Sequence, residues 1–468
     1  MVQRLSGLDS MFVYLETPSN HMHVTGVLLL DPTTAPEGFS FAQVRAMVAG
    51  RLHRAAPFRR RLVEVPFGLA HPLWIEDPGF DLDYHVRRAC LPSPGGQLEL
   101  EDLVGQMVGL PLDRQRPLWE MCFVEGLERG FQAIVMKMHH AAIDGVSGAE
   151  LTAAWLDLEA DPPREVDDED DWQPERVPSE IDLLIGAWTQ LASGPVKAAR
   201  TTRRCTEAAL RVAEHNRGSE ALPPPSPFSA PRTSFNLAIT PHRRVCFGKA
   251  ALEDLKAVKN HFRCTVNDVV LALCAGALRR YLLARGELPE EPLVAFVPMS
   301  VRVDEERLSG GNRLSAMLSS LATDVDDPVE RLRTISAAMS EAKSQEALIG
   351  GEVLTDWTEF ALPAFIGGAA RLISSTRLFD HLQPAFNVTI SNIPGPQFPL
   401  FLAGARVAEM YPLGPVVEGA GLNMTVMSYC DTVYFGLNGC RATVPDIADL
   451  PMMIIESLDE LLAIVRPE

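Results

Sequence analysis

The sequence predicts an α/β chain of the α+β kind, with mixed sheets and flanking helices arranged in two halves. Three observations carry that prediction. An acidic, proline-punctuated run divides the 468 residues into two stretches, each long enough for its own core. Both stretches mix the period-two pattern of strands with the 3.6 period of helices. Neither shows the regular strand–helix–strand rhythm of a barrel or a dinucleotide-binding fold.

In chain order, Phe41, Val44, Val48 and Leu52 mark an amphipathic helix. Phe131–Met138 is apolar on both parities, as a strand covered on both faces is, and Val146–Leu158 reads as a helix. The acidic run lies between Asp157 and Glu180, where eleven acids against two arginines give −9 of the chain's −19. Such a segment cannot bury itself and reads as a solvated linker. After it, Ile181, Leu184, Ile185, Trp188 and Leu191 keep helical spacing, with a break expected at Ser193-Gly194-Pro195. Arginines and a lysine follow up to Arg217, and a basic amphipathic stretch with a tryptophan suits either an interdomain helix or an anionic lipid surface. Five prolines in 222–231 close the connector. The expected division is therefore 1–178, a connector 179–231, and 232–468.

In the second half, Thr265 is placed to cap a helix whose apolar residues, Val266 to Tyr281, recur at i, i+3, i+4 and i+7. Phe386–Ser391 alternates strictly, with Phe386, Val388 and Ile390 on one face and Asn387, Thr389 and Ser391 on the other. Asn423–Cys430 and Val433–Asn438 read as a hairpin closed at Asp431-Thr432.

Composition narrows the function. Eight scattered cysteines without a Cys-x-x-Cys pair point to a reducing, cytoplasmic setting. The acidic balance disfavours nucleic acid as a partner, and no apolar run reaches the length of a membrane span. No glycine-rich phosphate loop follows a strand, which removes the usual grounds for nucleotide chemistry.

One motif stands out. His139-His140-Ala141-Ala142-Ile143-Asp144-Gly145 follows directly on the buried strand. Three readings apply: metal ligation, a buried structural pair, or a general base. Adjacent histidines on a strand point to opposite faces, which makes a shared ion awkward. An imidazole titrates near neutrality, so it suits removal of a proton from an acceptor and its return to a leaving group. No G-x-S-x-G elbow signals a covalent intermediate.

These residues resemble the bacterial wax ester synthase/diacylglycerol acyltransferases, within the wider chloramphenicol acetyltransferase-like and condensation-domain group. The HHxxxDG motif alone reaches only the wider group. Its company narrows it: Leu5–Phe12, Pro117-Leu118-Trp119-Glu120, Asn267-Asp268, Pro298–Arg302 and Ser391–Pro396 all look like family segments in family order. The resemblance implies two similar half-domains with the active site in a tunnel between them. It implies transfer from long-chain acyl-CoA to diacylglycerol, or to a fatty alcohol in the alternative reading, with no metal or prosthetic group. It also implies His140 as the base, His139 packed away from substrate, and Asp144 paired with an arginine, for which Arg59, Arg60 and Arg61 are candidates; Asp144 orienting His140 directly is the other option. Gly145 lets the chain turn away from the site.

The residues themselves suggest supporting roles elsewhere. Asn267, in the first turn of its helix, suits either capping or oxyanion stabilisation, with Asp268 beside it. Thr389 and Ser391 offer hydroxyls to an oxyanion, while Trp119 reads as core packing. A non-catalytic lipid-binding or droplet-coating protein is the reading from another class, and a peripheral membrane or lipid-droplet surface is a partner under both.

Overall fold

The computed structural model describes residues 3–143, 153–162, 172–218, 223–300, 314–349 and 363–466. Two six-stranded sheets dominate. The first half supplies β1 (His23–Asp31), β2 (Val86–Cys90), β3 (Trp119–Glu125) and β4 (Gln132–His139). The second supplies β5 (Arg243–Ala251), β6 (Val294–Ser300), β7 (Leu314–Ser320), β8 (Val388–Ile393), β9 (Phe401–Leu402), β10 (Ala405–Leu413), β11 (Leu422–Tyr429) and β12 (Thr432–Cys440). The sheet orders are β9-β10-β1-β4-β3-β2 and β7-β6-β8-β11-β12-β5.

Both sheets are mixed. The β2–β3 pair is parallel in the first sheet, and β6–β8 and β8–β11 are parallel in the second. Notably, β9 and β10 belong to the second half of the sequence yet complete the first sheet, β10 running antiparallel to β1. A division of the chain at 231 does not provide for this crossing, because residues 401–413 carry no local signal of which sheet they join.

The helices are α1 (Gly7–Tyr14), α2 (Phe41–Arg51), α3 (Gln97–Val108), α4 (His140–Ile143), α5 (Glu180–Gly218), α6 (Leu252–Phe262), α7 (Val266–Arg285), α8 (Pro328–Ile349), α9 (Pro363–Ser375) and α10 (Leu450–Val465). Thr265 caps α7: its hydroxyl accepts from the Asp268 N–H at 3.1 Å, while Asp268 Oδ2 accepts from the Thr265 N–H at 2.9 Å. This reciprocal box satisfies two of the helix's free donors. The amphipathic spacing undersells α7, which is buried without interruption from Asp268 to Leu278. It lies in the second core with α8, α10 and the inner face of the second sheet, and a helix covered on all sides needs no polar stripe.

The strands and turns follow the sequence closely, with local shifts. The β11–β12 turn falls at Cys430-Asp431, both with positive φ (42° and 62°), one residue before the expected pair. That is the primed-turn geometry that matches strand twist. The alternation expected from Phe386 starts only at β8. Asn387 is fully buried, accepting from the Val294 N–H at 2.8 Å and donating to Pro231 O at 2.6 Å. Its carboxamide takes up the Val294 N–H alongside the backbone bond from the Asn387 N–H to Val294 O at 2.7 Å, at the entry to a parallel strand.

The connector differs most. α5 runs unbroken through Ser193-Gly194-Pro195, because one proline removes one N–H, and the alanine-, lysine- and arginine-rich flanks keep the helix going. Its buried face is also not the expected one. Leu183 and Ala187 pack against Val63, Val65 and Ile75, whereas Ile181, Ile185 and Trp188 are 69 %, 61 % and 69 % exposed. Part of the acidic run, 163–171, lies outside the described residues, as does most of the helix expected from Val146; its last described turn is 153–155. The described ends of the run are largely exposed, as a solvated segment is, but two residues anchor them. Arg51 grips the Asp157 carboxylate with both contacts at 2.7 Å, and the Trp172 indole donates to Glu76 Oε2 at 2.7 Å.

Candidate active site

β4 ends at a point held from both sides. The His139 N–H donates to Leu118 O at 3.0 Å, and the His140 N–H donates to Met22 O at 2.9 Å. Beyond that clamp the chain turns at once into α4, so the two imidazoles leave on different sides.

His139 faces away from the cavity and is buried. Its Nδ1 accepts from the Ala141 N–H at 3.1 Å, which caps the first turn of α4 and assigns the ring proton to Nε2. That Nε2 lies 3.7 Å from Glu16 Oε2, an electrostatic contact longer than a hydrogen bond. Arg114 clamps Glu16 at 2.7 Å from Nε and 2.5 Å from Nη2. Burial alone would raise the Glu16 carboxyl; His139 and Arg114 outweigh it and hold it below the ordinary carboxylate range. His23 packs edge-on against His139 with ring centroids 5.7 Å apart. Burial, above all, keeps His23 neutral well below its usual range.

His140 turns the other way, onto the wall of a cavity of about 780 Å³. Its ring lies flat on Phe12, with centroids 4.3 Å apart and planes 15° apart. Burial first, and His139 second, push its imidazole down to about 4, so at neutral pH the ring is neutral and able to accept a proton. Among the described residues, Nδ1 of His140 has no hydrogen-bond partner.

The cavity is built from both sheets. Met136 and Met138 of β4 and Val24 and Leu28 of β1 form one wall; Thr389 and Ser391 of β8 stand on another. The lining is overwhelmingly apolar, with a few polar groups, among them His140, Thr389 and Ser391. A long apolar volume with few polar groups suits an alkyl ligand held at one reactive end.

Other expected residues fall elsewhere. Asp144 and Gly145 lie outside the described residues. Of the candidate arginines, Arg60 pairs with Glu76 at 2.5 Å, Arg61 with Asp77 at 3.1 Å, and Arg59 lies 5.0 Å over the Trp172 ring. Asp268 is committed to the α7 cap and to Ser336, whose hydroxyl donates to it at 3.0 Å. Asn267 is not in the cavity lining; it accepts from Asn392 Nδ2 at 3.4 Å, joining two of the motif segments. Trp119 is fully buried, donates to Phe58 O at 3.0 Å and stacks on His85. Pro117-Leu118-Trp119 thus braces the strand that carries the histidines.

Sequence reasoning missed Glu16 and Arg114. A single carboxylate and a single arginine, 98 residues apart, carry no periodic or motif signal. Phe12 stood within a motif segment, but nothing in that segment showed it touching His140.

Comparison with known proteins agrees with this arrangement. The family model for the wax ester synthase/diacylglycerol acyltransferase catalytic domain matches residues 5–270, and that for the WS/DGAT C-terminal domain matches 310–462. A Mycobacterium tuberculosis protein named for diacylglycerol O-acyltransferase activity is 39 % identical over 98 % of this chain and 90 % of its own length. A second from the same organism, also so named, is 37 % identical over 98 % of this chain and 96 % of its own. Among solved structures, the wax ester synthase/diacylglycerol acyltransferase of Marinobacter aquaeolei superposes with a TM-score of 0.70 at 31 % identity, covering 99 % of each chain. The first condensation domain of the calcium-dependent antibiotic synthetase, at 15 % identity and TM-score 0.57, shares the fold. The two condensation-type halves, the segments bracing His139 and His140 and the family matches converge: this chain is an acyltransferase of the wax ester synthase/diacylglycerol acyltransferase family.

Proposed function

We propose that the chain transfers a long-chain acyl group from coenzyme A to the free hydroxyl of diacylglycerol, with His140 as the general base and no covalent acyl-enzyme. The observation that carries this reading is the neutral imidazole of His140 on the wall of the large apolar cavity. His140 takes the hydroxyl proton, the oxygen attacks the thioester carbonyl, and the C–S bond breaks as the departing thiolate takes the proton back. Thr389 and Ser391 supply hydroxyl donors to the transient oxyanion. His139, Glu16 and Arg114 position the base through the α4 turn.

Lipid substrates must enter from an apolar phase, and one face of the molecule suits that. α9 separates the cavity from solvent: Ala370 and Ile373 line the interior, while Phe365 and Leu372 are 75 % and 63 % exposed. The start of α5 and α9 both pack on the turn Pro66–Gly68, whose Phe67 also projects outward. We assign this face to peripheral contact with a membrane or lipid droplet, a partly buried amphipathic surface rather than a span. No helix among the described residues is long and apolar enough to cross a membrane.

The deciding experiment is thiol release from palmitoyl-CoA with diacylglycerol, hexadecanol and an amine as acceptors. Diacylglycerol as the preferred acceptor supports the reading; hexadecanol as the preferred one makes the protein a wax ester synthase. His140→Ala should abolish release with an unchanged circular-dichroism spectrum, and near-normal turnover would remove His140 from the mechanism.

A further inference from the structure

The first sheet's face toward the cavity is arranged in rows running away from His140. Val24 pairs with Met138, then Gly26 with Met136, then Leu28 with Ile134. Each row is two residues further along β4, so the three steps from His140 span roughly 20 Å at about 3.3 Å per residue. The middle row runs across four strands, Pro412–Gly26–Met136–Met121. Every position in it except Gly26 carries a side chain.

Among the described residues, neither backbone conformation nor a crowding neighbour requires a glycine there. Gly26 does not have the positive φ that favours glycine, and a Cβ built on it meets no atom within 4 Å. Two other glycines of the cavity lining behave differently. A Cβ on Gly414 would lie 2.6 Å from Asn423, and one on Gly419 would lie 2.5 Å from Phe379. Those two are held by crowding. Gly26, inside a strand, gives up backbone order and side-chain packing with no neighbour demanding it. Its missing side chain is instead open cavity.

We propose that Gly26 is a specificity-determining position: the gap above it lets an extended alkyl chain pass from His140 over the middle row to the pocket of Ile134, Leu28 and Met410, and so sets the longest chain the enzyme accepts. The inference rests on the acyltransferase reading above. The chain belongs either to the acyl-CoA or to the acceptor, and the chemistry of the slot is the same for both.

The test uses Gly26→Ala, Gly26→Val and Gly26→Phe in the full-length protein. For Gly26→Ala a melting temperature no lower than that of the parent is expected, since the added Cβ meets open space; a marked loss would show that the space does not exist. Thiol release is then measured with octanoyl-, dodecanoyl- and palmitoyl-CoA at fixed diacylglycerol, and separately with octanol, dodecanol and hexadecanol at fixed acyl-CoA. In one series Gly26→Val should lower the long-to-short ratio of kcat/KM by roughly a hundredfold, the worth of three or four methylenes withdrawn from apolar contact, with Gly26→Ala smaller and Gly26→Phe larger. The series that responds identifies which chain lies in the slot. No change in either ratio, or an equal loss at every length, would overturn the proposal. Absence of transfer by the parent protein would refute the acyltransferase reading alone. The slot would then be read by calorimetric binding of palmitate against octanoate, where Gly26→Val must weaken the former selectively or the inference fails.

Discussion

The imidazole of His140 lies flat on the phenyl ring of Phe12, 4.3 Å between centroids. α1 therefore provides the surface that fixes the ring of the proposed base. Replacing Phe12 by Ala frees the imidazole to rotate, and a misplacement of about 1 Å at a reacting group costs up to roughly a hundredfold. Phe12→Ala should lower kcat by ten- to a hundredfold with a smaller change in KM, and Phe12→Tyr should keep most activity. Steady-state kinetics on the two variants check this.

The pH dependence follows from the lowered histidines. His140 and His21 titrate near 4 in the fold, each lowered mainly by burial, against about 6.5 in an unfolded chain. Between those values the unfolded state binds more protons, so stability falls as pH drops from about 6.5 to about 4 and levels off below. Each such histidine contributes a slope of up to about 1.4 kcal/mol per pH unit. Activity should be flat through neutrality and be lost toward pH 4 as His140 charges. Urea midpoints and pH–rate profiles read the two effects separately, and His21→Asn should reduce the first while leaving the second.

Glu16 pairs with the Arg114 guanidinium and sits beside two buried imidazoles. Removing it leaves Arg114 without its main partner and His139 and His23 without the nearby negative charge. Breaking such a pair costs about 3–5 kcal/mol when fully buried; with Arg114 about one-third exposed, about 2–3 kcal/mol is expected for Glu16→Ala. Glu16→Gln should recover part of it. Denaturant unfolding of both variants measures the difference.

The exposed apolar face offers a contrasting variant. Ile185→Ser with Trp188→Ser removes two exposed side chains, so stability should change by less than about 0.5 kcal/mol. Co-sedimentation with anionic vesicles should fall several-fold. Full vesicle binding by the double variant would assign the lipid contact elsewhere.

What could be read from residue order alone was what residue order controls locally. The α7 cap, the β11–β12 hairpin and the buried β4 are set by neighbours within a few positions, and all three are legible. The outward face of α5 was not, because its spacing fits Leu184 and Ile185 as well as Leu183 and Ala187; only the partners Val63, Val65 and Ile75 decide which stripe is covered. For the site, the motif placed His140. Phe12, Glu16 and Arg114 became visible only when distant segments met. Asn267 and Asp268 show the reverse case, two motif residues whose contacts bind α7 to its surroundings rather than face the cavity.

The passage of β10 into the first sheet also dictates when the protein can fold during synthesis. Arg406 donates to Thr34 across 372 residues of sequence, and β10 covers the edge of β1 along most of its length. A nascent chain ending anywhere before residue 405 exposes that edge strand, with the apolar floor of the future slot beside it. Unpaired strand edges of this kind are where partly made chains associate. The amino-terminal half is therefore not a unit to be expressed alone, and ribosome-bound fragments should become protease-resistant only after β10 has emerged.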